Sequence, residues 1–435
     1  MEKNLLLVCS AVVASAVAFA TPSVTVTDIA TNSVGDVVVS YTLSGEDAII
    51  TCETFVDGVS VGRSFRGDAN RRVAQGARSF VWCPKSEGVT VGGEVTAKVK
   101  AWTFDNPPDY LAIGLTAPNV RRYYASAEML PFPVTNDMYK TGMMLMRKIP
   151  AKDVVWRMGQ NDDKCGINSS NYTETKVRDM ETPHMVRLTK DFYMGIYPVT
   201  QNQYTRLTGF TDYNFTPESS KKATCNFSVL PAEKVSYASL RGDASATFLD
   251  WPEAGHAVAS TSMVQRIRTF TGLSTLDLPT EAQWEYACRA GTATALNSGK
   301  DTTQATSFCN NFAEVGWQKY SCTNEVADGI TCPVGLLAPN AWGLYDMHGN
   351  VFEKCLDRYS DGEDYHATFE TGWEDGAVTI DPKGPTTGDI GVVRGGNFWY
   401  FPAYGRSAAR IVTRARSVGS RHDGFRFVCN LPVEE

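Results

Sequence analysis

The first hundred residues alternate. In DVVVSYTL, Val37, Val39, Tyr41 and Leu43 interleave with more polar positions, and in EVTAKVKAW, Val95, Ala97, Val99 and Ala101 interleave with Glu94, Thr96, Lys98 and Lys100. A period of two sends successive side chains to opposite faces, so these stretches are restricted to half-buried strands. Asp57-Gly58 supplies a hairpin turn between two such runs. The adjacent prolines of DNPPDY, residues 105–110, cannot continue a central strand and end the region.

Residues 22–115 are therefore expected as an all-β sandwich of immunoglobulin or fibronectin type. Cys52 and Cys83 each lie in a strand-like run and are candidates to staple its two sheets. The sequence marks no site in this domain, whose role reads as spacing or adhesion. Residues 116–140 read as a connector with some structure of its own.

From Thr141 the texture changes. Glycine, tryptophan and short motifs become frequent and long periodic segments rare, which predicts an α+β domain over 141–432. One helix is marked in LPTEAQWEYACRAG, 278–291. Thr280 and Gln283 make a capping box, Glu281 favours the helix dipole, and Gly291 supplies the stop. Trp284, Ala287 and Cys288 share the face expected to meet the core. A second helix is expected over 257–271, ending near Gly272.

The start of the chain, MEKNLLLVCSAVVASAVAFATPS, places Lys3 before an apolar run from Leu5 to Phe19 and closes with Ala18-Phe19-Ala20. This reads as a secretory signal peptide, residues 1–20, because the apolar run is shorter than the ~20 residues of a membrane span. The expected location is secreted or periplasmic, with no membrane span after cleavage. Setting aside Cys9 leaves ten of the eleven cysteines, an even number in keeping with disulfides in an exported chain. Their connectivity is not readable from spacing, and no CxxC metal motif is present. The formal net charge of −7 argues against a nucleic-acid partner.

Several motifs of the second region occur in a family order: MMLMRKIPAKDVVWRMG (143–159), DFYMGIYPVTQNQYTRLTG (191–209), PAEKVSYASL (231–240), LPTEAQWEYACRAGT (278–292), APNAWGLYDMHGNVFEKCLD (338–357), VVRGGNFWY (392–400) and GFRFV (424–428). Together they resemble the formylglycine-generating enzyme, or sulfatase-modifying factor, family. The resemblance implies a single α+β domain related to C-type lectins and low in regular secondary structure. It also implies copper oxidase chemistry, in which a cysteine of a Cys-x-Pro-x-Arg sequence becomes a formylglycine aldehyde. In that family two cysteine thiolates hold the copper, soft ligands suited to Cu(I). Counting from Gly395-Gly396, in a stretch slightly shorter than the enzyme's, those positions fall at Tyr400 and Gly405. No cysteine lies between Cys355 and Cys429, so copper is not expected and no catalytic residue is assigned.

A related branch, the ergothioneine-type sulfoxide synthases, uses histidine-bound iron, but its HxxxHxE motif is absent. The five histidines, 184, 256, 348, 366 and 422, have no metal spacing and read as surface or satisfied residues. No Ser-His-Asp arrangement, Walker loop or Rossmann glycine pattern emerges. Calcium is different. The resemblance implies a structural Ca²⁺ at Asp346, Gly349, Val351 and Glu353, all offering the hard oxygens that Ca²⁺ takes, and a second at Asn311, Phe312, Asp328 and Ile330. It also implies that Cys288 bonds a cysteine near the C-terminus, for which Cys429 is the shifted partner.

Arg394, Arg406, Arg410, Arg414, Arg416, Arg421 and Arg426 fall in one segment without lysine, preceded by acids between Asp357 and Asp389. One reading is structural: the arginines fork onto those acids and onto carbonyls. The other is a ligand groove formed by Asn397, Phe398, Trp399, Tyr400, Tyr404, Arg406 and Arg410, with the aromatics as its wall. Two functions are therefore weighed. One is an exported, calcium-stabilised, disulfide-bonded binding module for a peptide, glycan or protein. The other is a formylglycine-generating oxidoreductase with an unidentified metal site. A structural envelope protein with a vestigial groove is the third possibility.

Overall fold

A computed structural model describes residues 21–116, 121–160, 181–209, 227–242, 251, 255–304, 306–319, 331–359 and 377–432. The expected signal peptide lies outside them. The chain divides into two compact units, residues 1–103 and 104–435.

The first unit is two β-sheets around one core. One sheet runs Ser23–Thr31, Val37–Ser44, Gly76–Trp82, Phe65–Gly67, and the other centres on Ala48–Val56, flanked by Val59–Ser60, Arg71–Val73 and Val95–Trp102. Val37, Val39, Tyr41 and Leu43 are buried while the positions between them are half-exposed, so the alternation sets the inner face. They share a hydrophobic cluster with Phe80 and Trp82 of their own sheet and with Ile50 and Cys52 of the other. Asp57 and Gly58 take φ of 50° and 79°, the two left-handed residues that a type I′ hairpin needs. The expected Cys52–Cys83 staple is not formed. Cys52 is mid-strand in the core, whereas Cys83 has left the other sheet's ladder, where Trp82 is the last paired residue, and caps the turn Pro84–Glu87.

The first unit ends near Thr103, short of the boundary expected at 115. Tyr110–Gly114 pairs with Met143–Arg147 on one side and Arg121–Tyr124 on the other, so the expected connector, 116–140, contributes the strand Arg121–Tyr124 to the second unit's main sheet. The physical reason is visible in LAI, 111–113, a run buried on both faces rather than alternating. This six-stranded sheet runs Arg121–Tyr124, Tyr110–Gly114, Met143–Ile149, Phe192–Gly195, Val428–Asn430, Leu276–Asp277. A four-stranded sheet runs Ile411–Ala415, Ile390–Arg394, Phe352–Arg358, Asp423–Gly424.

The described helices are α1 (Gln201–Thr208), α2 (Tyr237–Arg241), α3 (Met263–Thr271), α4 (Glu281–Arg289) and α5 (Asn310–Ala313). With much loop between short elements, this is the α+β architecture expected. Helix α3 stops at Gly272, as its sequence predicts, but begins six residues later than 257. The capping box of α4 forms as expected, Thr280 accepting from Gln283 N while Gln283 returns to Thr280 N. Its left-handed stop is Ala290, at φ 45°, one residue before Gly291. All nine residues of α4 are buried, so it is a central post rather than an amphipathic surface helix.

Candidate functional site

The segment after Arg394 is built on buried ion pairs. Arg394 donates to the carbonyls of Ser407 (2.9 Å) and Ala408 (2.8 Å) and pairs with Glu285 of α4. Arg410 forks onto Glu281 at 2.6 and 2.8 Å, and Arg426 onto Glu353 at 2.6 Å twice. Arg406 forks onto Glu181 at 2.7 Å twice. Planar guanidinium forks fix the orientation of each carboxylate, and burial strengthens the pairing while making each partner dependent on the other. Burial would raise the Glu285 carboxyl, but Arg289 and Arg394 hold it below the usual carboxylate range.

These contacts correct the expected groove. Arg406 and Arg410 are 0% and 3% exposed and belong to the interior. So do Asn397 and Phe398, at 2% and 4%. Asn397 Oδ1 accepts from the amides of Trp399 (2.8 Å) and Tyr400 (3.0 Å), shaping the turn that presents them. The structural reading of the arginines holds for Arg394, Arg406, Arg410 and Arg426, whose carboxylate forks and pairs among the described residues are with Glu181, Glu281, Glu285 and Glu353. The acids from Asp361 to Asp375 lie outside the described residues.

Three groove residues do share a half-exposed surface. Tyr400 packs on Tyr404 at 5.0 Å and on Phe352 at 5.5 Å between ring centroids, and Trp399 and Tyr400 both approach His422, at 6.4 and 6.0 Å. Lys319 Nζ lies 5.8 Å and the Arg421 guanidinium 5.1 Å from the Trp399 ring, cation–π geometry that leaves the surface both aromatic and positive. Lys319 comes from a part of the sequence with no motif to flag it. Arg421 is one of the clustered arginines weighed above, and His422 has no spacing that marks it for this surface.

Of the two positions to which the resemblance assigns thiolates, Tyr400 belongs to this surface and Gly405 is buried. Gly405 lies so close to Phe312 that a Cβ there would meet two ring carbons at 2.4 and 2.5 Å. Gly396, at φ 76°, sits with its own missing Cβ 2.6 Å from Gly405 Cα, so the RGG motif is needed for close backbone approach. His348, fully buried, ties the loop down: Nδ1 donates to Gly405 O at 2.7 Å and Nε2 accepts from Asn297 N at 3.0 Å. Burial pushes its pKa down to about 4, so the ring is neutral.

Asp346 has left-handed backbone, φ 54°, and is 3% exposed. Its Oδ2 accepts from Gly335 N at 2.6 Å, while Oδ1 is buried with no hydrogen-bond partner. Burial raises its pKa to about 6, against the pull of Gly335 N and Arg426. A buried hard oxygen without a partner fits a cation such as Ca²⁺. Glu353 fits less well, since Arg426 takes both its oxygens and Trp284 Nε1 donates to one at 2.7 Å. Gly349 and Val351 are buried. At the second expected site, Asn311 donates its side-chain amide to Asp301 O and Phe312 O accepts from Val315 N. Asp328 and Ile330 lie outside the described residues. Among the described residues no group of three or more His, Cys, Asp or Glu is placed to hold a metal.

The expected Cys288–Cys429 bridge is not formed. Cys288 turns its sulfur to Ser407 Oγ (3.7 Å) and His348 Nε2 (3.8 Å), whereas Cys429 turns its own to Thr275 Oγ1 (3.3 Å), so the two address different walls of the core. Burial pushes their thiols up, to about 12 and about 11, which makes both inert.

Among the described residues no helix is long and apolar enough to cross a membrane. Residues 156–431 match the family model described as "Sulfatase-modifying factor enzyme 1-like domain". The chain is 39% identical over 157 residues to the formylglycine-generating enzyme of Thermomonospora curvata, covering 34% of this chain and 48% of that protein. It is 37% identical over 131 residues to the enzyme of the same name from Streptomyces coelicolor, covering 29% and 37%. The matches thus span less than half the length of these relatives. The solved structure of PvdO from Pseudomonas aeruginosa overlays on 66% of this chain and 94% of its own at 22% identity, with a TM-score of 0.46, too distant to carry function. The family model, covering well over half of the residues, places this chain in the sulfatase-modifying factor (FGE-sulfatase) family.

Proposed function

We propose that this protein is an exported, calcium-stabilised binding module of the family, one that receives a peptide, glycan or protein partner on the surface formed by Trp399, Tyr400 and Tyr404. The observation that carries this reading is at Gly405. The segment supplies no thiolate, and the space a second thiolate would need is taken by the Phe312 ring. In its place stands a half-buried aromatic surface flanked by Lys319 and Arg421, the mixture of flat apolar area and fixed charge that suits recognition. Calcium, when bound, is held by Asp346 Oδ1 with nearby backbone carbonyls, and Glu353 stays with Arg426. Cys52–Cys83 and Cys288–Cys429 are not formed, and the disulfide expectation stays open for Cys165, Cys225 and Cys322, which lie outside the described residues. Export rests on the N-terminal segment and places the protein in the periplasm or outside the cell.

The competing reading is a formylglycine-generating oxidoreductase that uses a metal site of another kind, and the names of the relatives favour it. The purified chain, with calcium, copper and oxygen, is incubated with a Cys-x-Pro-x-Arg peptide and followed by mass spectrometry. The binding reading expects the cysteine to stay intact beside an active control enzyme. Loss of the thiol with appearance of the aldehyde overturns it.

A further inference from the structure

A pocket of about 340 Å³, sharing no lining residue with the aromatic surface, opens on the second unit between Trp251, His256, the start of α4, Asp381–Lys383 and Asn430. Its hydrogen-bonding pattern is set from the backbone outward. Gln283 Oε1 accepts from Thr280 N at 3.0 Å in the capping box, so Gln283 Nε2 must face the other way, and it donates to Asn430 Oδ1 at 2.7 Å. Asn430 therefore presents Nδ2 to His256 Nε2, 3.3 Å away. His256 Nε2 must accept, which leaves the ring proton on Nδ1, facing the buried Asp277 carboxylate at 3.3 Å. Asp277 is itself paired with Arg241 and Arg268. On the opposite wall both oxygens of Asp381 accept from Thr189, at 2.9 Å from its amide and 2.5 Å from its hydroxyl.

The oxygen acceptors of the Gln283, Asn430 and Asp381 side chains are thus engaged within the protein, while donors are left over. Each side-chain amide uses one N–H and retains a second. Lys190 and Lys383 line the same pocket and are exposed, and neither makes an ion pair among the described residues. Lys383 Nζ lies 5.7 Å over the Trp251 ring, which packs on His256 at 5.0 Å and donates Nε1 to Lys383 O at 3.0 Å, holding this lysine's backbone at the pocket wall. A concave site with spare amide donors, and with two lysines against the single carboxylate of Asp381, is net positive and selects a ligand rich in acceptors and negative charge.

We propose that this pocket binds a small oxyanion, a carboxylate or a phosphate, through Lys190 and Lys383 with the free amide N–H groups of Asn430 and Gln283. The site is independent of the reading of the aromatic surface, and each stands if the other fails. The test is calorimetric titration of the full chain, at fixed ionic strength, with inorganic phosphate, citrate and the neutral sugar glucose. One of the two anions is expected to saturate a single site, the tighter one naming the headgroup, and glucose is expected not to bind. Lys190→Ala/Lys383→Ala, a change of two exposed side chains that leaves the interior untouched, is expected to weaken binding at least tenfold, whereas Lys98→Ala in the first unit leaves it unchanged. Absence of saturation by both anions, equal binding of glucose, or undiminished binding by the double variant overturns the proposal.

Discussion

Glu181 takes both arms of the Arg406 guanidinium at 2.7 Å, with side chains 4% and 0% exposed, joining positions 225 residues apart. This pair turns a residue expected to face a ligand into part of the frame beneath it. Arg406→Ala leaves a buried carboxylate without its counter-charge, so it is expected to cost about 3–5 kcal/mol. Arg406→Lys retains the charge but not the fork and should fall between. Urea denaturation of the three proteins checks this. A variant with wild-type stability would return Arg406 to the list of ligand contacts.

His348 predicts an acid limit to stability. Its folded pKa of about 4 lies below the ordinary value of 6.5, because burial disfavours the charged ring. As pH falls through 6.5 the unfolded chain takes up a proton that the folded chain refuses. The contribution is therefore fully present above pH 6.5 and is lost as pH falls toward 4, by roughly 3 kcal/mol over that window. His348→Gln should be less stable at pH 7 and lose less on acidification. Parallel pH slopes for wild type and variant, in denaturant titrations from pH 7 to 4, would remove His348 as the cause.

These two residues show what was legible in the sequence. The capping box at Thr280 and Gln283, the Asp57-Gly58 turn and the alternation from Val37 to Leu43 are local signals, and each appears where expected. His348 was readable as a surface or satisfied histidine, because it lacks metal spacing, and its buried hydrogen bonds make it the second. The Arg406–Glu181 pair was not readable, since nothing in the sequence near either residue specifies a contact across 225 positions. The boundary at 103 was missed for a related reason: Leu111, Ala112 and Ile113 are apolar on both faces, and only their pairing with Met144, Leu145 and Met146 assigns them to the second unit. The aromatic surface was half legible. Trp399, Tyr400 and Tyr404 announce themselves, but Lys319 arrives from a distant loop.

Asp346 makes calcium a matter of stability. With its carboxyl raised to about 6, well above the ordinary 3.8, the ionised form is disfavoured in the metal-free fold. The stability lost as pH rises through 6 is recovered when a cation meets Oδ1. In chelator at pH 8, Asp346→Asn should therefore be more stable than wild type by about 1–3 kcal/mol. Added calcium should raise the melting temperature of wild type and leave the variant where it was. Differential scanning fluorimetry with EDTA and with calcium reads both halves, and an equal calcium response in the two proteins would sink the assignment.

Restoring the family's thiolates tests whether the copper site is only unsubstituted or also closed. Tyr400→Cys is accommodated, since that side chain is half-buried at the surface. Gly405→Cys is not, because its Cβ would press within 2.4 Å of Phe312 and 3.2 Å of Gly395 O. The double variant Tyr400→Cys/Gly405→Cys is thus expected to lose stability by about 1–3 kcal/mol from overpacking and to gain no tight Cu(I) site. Adding Phe312→Ala removes the ring and should recover thiol access to copper at the cost of a cavity. Competition against a Cu(I) chelator measures the gain, and circular dichroism reports whether each variant is folded. Tight copper binding by the double variant with Phe312 intact would mean that the loop moves freely enough to hold a metal. The aromatic surface would then be a cover over a dormant catalytic site rather than a replacement for one.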